Sequence, residues 1–240
     1  MTKGEERLDK AYDDTVDRIG NQEQGTRELA KRVLFWIVYA KRPLNTEELR
    51  HALAVEPGTC RLDEMNLSPV SDMVSSCAGL VCVDGNIVRL VHYTTQEYFQ
   101  RRDLKGFWDV QRDIIATSCL TYLSYDVFAE GCLTRPDLES RLQEYAFFNY
   151  AAQNWAYHIQ DTQQSVRHLA LKLLMDDGKA SALSQVLFLD PPQGFCGIHL
   201  VAYSYFGLND IMVRLLQEKD RTPLAGRHCP TLWKRGTRGW

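Results

Sequence analysis

The 240-residue chain has no long apolar run. The longest uninterrupted one, residues 33–40, is eight residues, far short of the ~20 that a membrane-spanning helix needs. The first residues, Met1-Thr2-Lys3-Gly4-Glu5-Glu6-Arg7, have no apolar core behind them, so a secretory leader is not expected. Charge of neither sign dominates: Lys+Arg 28 against Asp+Glu 31 gives −3, too balanced for a polycationic wrapper of nucleic acid. With 45% hydrophobic and 25% charged residues, the composition excludes wholesale disorder and a collagen-like fibre.

Signatures of catalysis are missing as well. A phosphate-binding loop needs glycines ahead of a Gly-Lys-Ser/Thr, so that backbone amides and the lysine surround phosphate. Here Gly178-Lys179 is followed by Ala180, with no glycine at the right distance upstream. G-x-S-x-G and H-E-x-x-H do not occur, which leaves no hydrolase elbow and no zinc-protease helix. The six histidines are scattered, and His228-Cys229 has no second pair at a zinc-site spacing. Seven cysteines, an odd count with no C-x-x-C among them, suit a reduced, cytoplasmic compartment better than a disulfide framework. A Cys82/His92 nucleophile pair is conceivable on adjacent strands. With no orienting third group in view, a core cysteine and a strand-end histidine are the preferred reading. We therefore expect a non-enzyme, with no catalytic, cofactor-binding or metal-binding residues, no cofactor and no small-molecule substrate.

What is present is largely helical periodicity. Leu8, Tyr12, Val16 and Ile19 form one narrow apolar stripe on a charged helix. This amino-terminal linker helix (1–25) has a stripe in want of a partner. Thr26 is a candidate N-cap for a helix to about Lys41, with Leu29, Val33, Trp36, Ile37 and Ala40 on one face. Asn45 and Glu48 have capping-box spacing for a second helix carrying Leu49, Ala52 and Leu53. Ser68-Pro69 opens a third, with Val70, Met73, Val74 and Cys77 inward. The period then changes. Leu80-Val81-Cys82-Val83 and Ile87-Val88-Arg89-Leu90-Val91 flank Asp84-Gly85-Asn86, a hairpin signal. Thr94 with Glu97 marks another capping box. Three helices, a hairpin and a closing helix make residues 26–103 a winged helix. The third helix of such a domain often reads DNA, but here it holds one Asp and no Lys or Arg. Phosphate neutralisation dominates nucleic-acid affinity, so nucleic-acid binding remains the alternative and protein contact the expectation.

Residues 104–190 read as a helical region. Trp108, Ile114, Ile115, Cys119, Tyr122 and Leu123 share an apolar face; Thr134-Arg135-Pro136-Asp137 starts a helix with Leu138 and Leu142 inward. The aromatic run from Tyr145 to Tyr157 could stack bases or a cofactor. Phe148, Ala151, Ala152 and Trp155 at helical spacing, without flanking cations, favour a packed helix-pair interface. Two more Leu-rich helices suggest a superhelical array. Cys196-Gly197-Ile198-His199-Leu200-Val201-Ala202, Gly207 and Met212-Val213-Arg214-Leu215-Leu216 are similar to an ankyrin repeat (191–224). It is degenerate: Cys196 to Thr222 is only 26 positions against ~33 for a full repeat. The Gly/Arg/Trp-rich tail (225–240) has nothing to build a core and is expected to be disordered, as an altered frame or truncation of a longer array. Arrays usually need at least three units, so a chain this short should be marginally stable or prone to association.

The segment from Glu28 to Arg101 resembles the winged-helix domain named after GPI inositol-deacylase, found behind the NACHT NTPase module of fungal NLR-like proteins with ankyrin repeats beyond it. The resemblance rests on Arg27-Glu28-Leu29-Ala30-Lys31-Arg32-Val33-Leu34-Phe35-Trp36-Ile37, Arg42-Pro43-Leu44, Glu47-Glu48-Leu49 and His51-Ala52-Leu53. It continues through Cys77-Ala78-Gly79-Leu80-Val81 and Leu90-Val91-His92-Tyr93-Thr94-Thr95-Gln96-Glu97-Tyr98-Phe99. It implies a mainly α protein: a winged helix, a helical array and a partial ankyrin repeat. It also implies a regulatory role through protein contacts, the winged helix as intramolecular relay and the repeat as partner surface. The NTPase module is absent, so nucleotide binding does not carry over; nor does deacylation, since no hydrolase motif is present. The expected partner is protein, not nucleic acid or membrane.

Overall fold

The computed structural model describes residues 3–101, 113–160 and 164–187. It is mainly helical and divides into two compact units, Met1–Ser118 and Cys119–Trp240.

The first unit begins with α1 (Lys3–Gly20), α2 (Gln24–Tyr39), β1 (Leu44–Asn45) and α3 (Thr46–Ala54). It continues through a 3-10 turn (Glu64–Asn66), α4 (Val70–Ser76), the hairpin strands β2 (Val81–Asp84) and β3 (Ile87–Leu90), and α5 (Tyr93–Arg101). The hairpin forms where Asp84-Gly85-Asn86 predicts it. Gly85 takes φ 62°, the positive φ that a two-residue hairpin turn needs at its first central position. The sequence reading missed β1. Leu44 pairs with Val88 and Asn45 with Ile87, so β3 is the middle strand of a three-stranded sheet. A two-residue strand leaves too little period to detect.

The α2 run is buried on most sides, as its composition demands: Val33, Leu34, Phe35, Trp36 and Val38 are all core. With α4, α3 and α5 against it, α2 is the central helix of the unit. Leu29 and Ile37, expected inward, are only half-buried.

Four expected details shift. The helix meant to start after Thr26 starts at Gln24, with Glu23 at the cap and no side-chain cap bond. Arg27 instead ties the break to the helix by donating to the Gly20 and Gln22 carbonyls, 3.3 Å each. Pro69, not Ser68, is the cap of α4, and the Ser68 carbonyl accepts from Arg50 Nε at 3.0 Å. α5 starts at Tyr93, so Thr94 falls inside the helix and its hydroxyl hydrogen-bonds Tyr12 Oη at 2.7 Å. Finally, the stripe on α1 rotates. Asp9, Tyr12, Thr15 and Ile19 are buried while Leu8 is 47% exposed, because α1 lies on α5 through polar contacts.

The second unit takes α6 (Ile114–Leu123) across the division and adds a 3-10 turn (Asp126–Phe128), α7 (Arg135–Glu144), α8 (Phe147–Ile159), α9 (Gln164–Met175) and α10 (Asp177–Leu187). Thr134 and Asp137 close a reciprocal cap on α7. Helices pack in pairs: α7 on α8, α10 on α8 and α9. The aromatic run of α8 is core apart from Tyr157, which is 42% exposed. Phe128 stacks on Phe148 with centroids 4.0 Å apart, and Tyr122 meets Phe147 edge-on at 5.2 Å. Trp155 is 1% exposed. A stacking platform for bases needs open ring faces, and these rings face one another. The proposed ankyrin segment (191–224), the tail (225–240) and Trp108 lie outside the described residues.

Candidate functional site

The surface to examine is the one a winged helix offers: the third helix of the domain and the wing. In α4, Met73 and Ser76 are buried, which turns Ser71, Asp72 and Ser75 outward. These are short side chains with one negative charge and little conformational entropy to lose on contact. The Ser71 hydroxyl donates to Asp72 Oδ1 at 3.1 Å. On the wing, Arg89 is the sole cation between Val81 and Leu90, and its guanidinium sits 3.0 Å from Asp84 Oδ2. That exposed pair contributes little to stability, but it cancels the wing's positive charge. The wing offers Val83 at its rim, 38% exposed; beyond it Val91 is 39% and Tyr93 78% exposed.

The turn end of the wing is joined to α3 beside a charged junction. Glu48 is buried and accepts from Arg42 Nη1 at 2.9 Å and Arg42 Nη2 at 2.6 Å. It also accepts from the Asn45 amide at 3.0 Å, while Asn45 Oδ1 accepts from the Glu48 amide at 2.8 Å. The capping box is as the spacing predicts. Its second duty, anchoring Arg42 so that Leu44 and Asn45 can pair with β3, leaves no mark at capping-box spacing.

Cys82, expected in the core, is half-buried, and His92, expected at a strand end, is exposed. Cys82 faces Arg89 across the hairpin, whereas His92 lies two positions past Leu90, the partner of Val81. The buried thiols are poor nucleophiles. Burial pushes Cys77 up to about 12, with a bond to Ser76 pulling slightly the other way, and pushes Cys119 up as well. Nucleophilicity requires thiolate. Burial also lowers His51 below its ordinary value, with Glu47 opposing. Among the described residues no group of three His, Cys, Asp or Glu could hold a metal ion, and no helix is long and apolar enough to cross a membrane.

Sequence reasoning missed one further contact set. Asp9 accepts from Arg101 at 2.6 Å, Asp13 accepts from the Tyr98 hydroxyl at 2.7 Å, and the Tyr12 and Tyr98 rings lie 5.1 Å apart. The signal was available as acidic residues four apart beside Tyr12. An apolar-stripe reading passes over carboxylates.

No curated protein and no solved structure matches the chain. Residues 18–111, under half of it, match the family model described as GPI inositol-deacylase, winged helix domain, and with the helices, wing and closing helix in that order this part of the chain is a winged-helix domain similar to that family's.

Proposed function

We propose that the chain is a non-catalytic protein-contact module of the NACHT–ankyrin kind, acting in the cytoplasm. Its winged helix rests on an NTPase module and relays that module's state, and its carboxy-terminal repeat reads a partner. One observation carries this reading. The outward face of α4 is Ser71, Asp72 and Ser75, and the wing's one arginine is paired with Asp84. Such a face suits close approach by another polypeptide. It supplies none of the phosphate neutralisation on which nucleic-acid affinity rests. The family's name mentions a deacylase, but no hydrolase motif accompanies the domain here, so the reading takes contact and not chemistry from it.

The test is calorimetric titration of the chain with a NACHT-type NTPase module, in the presence and absence of nucleotide. Binding is expected, and Ser71→Arg with Ser75→Arg should weaken it at least about tenfold, roughly 1.4 kcal/mol, while leaving the melting temperature unchanged. No binding to the module, together with salt-sensitive binding to duplex DNA by the unmodified chain, would replace this reading with the nucleic-acid one.

A further inference from the structure

We propose that α1 is an exchangeable arm, and that two copies of this chain dimerise by trading it, α1 of each lying on α5 of the other. The inference does not depend on the NTPase reading. It starts from how α1 is held. Only Tyr12 and Ile19 among its described side chains are apolar and buried. The rest of the attachment is polar and specific: Asp9 with Arg101, Asp13 with the Tyr98 hydroxyl, and Tyr12 with Thr94. Residues 9, 12 and 13 meet residues 101, 94 and 98, so the helices run antiparallel. The polar contacts exchange for water when the arm lifts, while Tyr12, Ile19 and the Tyr98 ring lose a cover that the arm of a second copy restores.

The hinge is short, and Arg27 fastens it by donating to the Gly20 and Gln22 carbonyls. Only Asn21, Gln22 and Glu23 separate α1 from α2, and none is proline. Gly20, the last residue of α1, and Gly25, the second of α2, flank them, and apart from neighbouring backbone nothing lies within 4 Å of where a Cβ would be at either. Gln22 fastens the hinge by donating to the Ser76 carbonyl at 2.9 Å, yet its Oε1 is buried with no hydrogen-bond partner among the described residues. A buried acceptor left unmet disfavours the closed hinge, and opening returns it to water.

The occupant that fits α5 once its own arm has left follows from the same contacts. It must be a helix offering two carboxylates four residues apart, to Arg101 and Tyr98, with a tyrosine beside them for Thr94 and the Tyr98 ring. The α1 of a second copy meets every one of these demands. Exchange recreates the closed contacts between chains and changes only the hinge.

The experiment uses the full chain and sedimentation velocity. Asp9→Arg alone and Arg101→Asp alone each place like charges at the α1–α5 contact and should sediment as monomer. Mixed, they should form a heterodimer, because exchange pairs the arginine introduced at position 9 of one chain with the aspartate introduced at position 101 of the other. A hinge series checks this with the contact itself untouched. Deleting residues 21–23 prevents α1 from folding back and should tighten dimerisation at least about tenfold; inserting Gly-Ser-Gly-Ser after Asn21 should weaken it. A mixture that remains monomeric overturns the proposal. So does a folded, monomeric hinge deletion, or a dimer indifferent to both charge and hinge length.

Discussion

Gly178 has no room for a side chain. It sits in the first turn of α10, where an added Cβ would lie 1.7 Å from the Ala129 carbonyl oxygen. Backbone cannot yield as a flexible side chain can, so Gly178→Ala should destabilise by about 2 kcal/mol or more. Gly25, in the first turn of α2, has open space around it, and Gly25→Ala should stabilise by roughly 0.5–1 kcal/mol. Thermal melts of the two variants check both signs. His51 supplies a pH dependence. Burial lowers its pKa in the folded state, so the unfolded chain binds more protons. The stability it contributes is present above about 6.5 and is lost as pH falls through the lowered value. Denaturant midpoints should fall below that pH, and His51→Leu should flatten the slope.

At the scale of elements, two reciprocal caps and the hairpin turn were legible; the caps expected at Thr26, Ser68 and Thr94 and the buried face of α1 were not. Asn45 with Glu48, Thr134 with Asp137, and Asp84-Gly85-Asn86 act over three or four residues, so their chemistry is complete within the local sequence. Thr94 had the same local pattern, but a tyrosine 82 positions away takes part in its hydrogen bond, and tertiary contact displaced the cap. The α1 face was misread for the same reason: an apolar stripe marks a buried face only when the acceptor is apolar, and α5 presents Arg101 and the Tyr98 hydroxyl. The short β1 strand lies between Arg42 and Glu48, whose contact no period encodes. Asn45→Ala should cost about 1 kcal/mol as a lost N-cap. Glu48→Gln should cost more, because it weakens both the cap and the charged bond to Arg42. Chemical denaturation of both, with the double variant, checks the order.

Across the whole molecule, the charge distribution favours the protein-contact reading of the winged helix over the nucleic-acid one. The surface that would meet phosphate carries Asp72 and a neutralised Arg89, and most rings of the aromatic run that could have stacked bases are buried in the second unit. What α4 and the wing offer is a small, weakly acidic helix face beside Val83. The composition foreshadowed this, since a net charge of −3 leaves no cationic excess to concentrate. The most direct test is amide hydrogen exchange of the chain with and without a NACHT-type NTPase module. Protection should gather on α4 and the β2–β3 hairpin. Unchanged exchange at both, or protection there produced by duplex DNA instead, would contradict it.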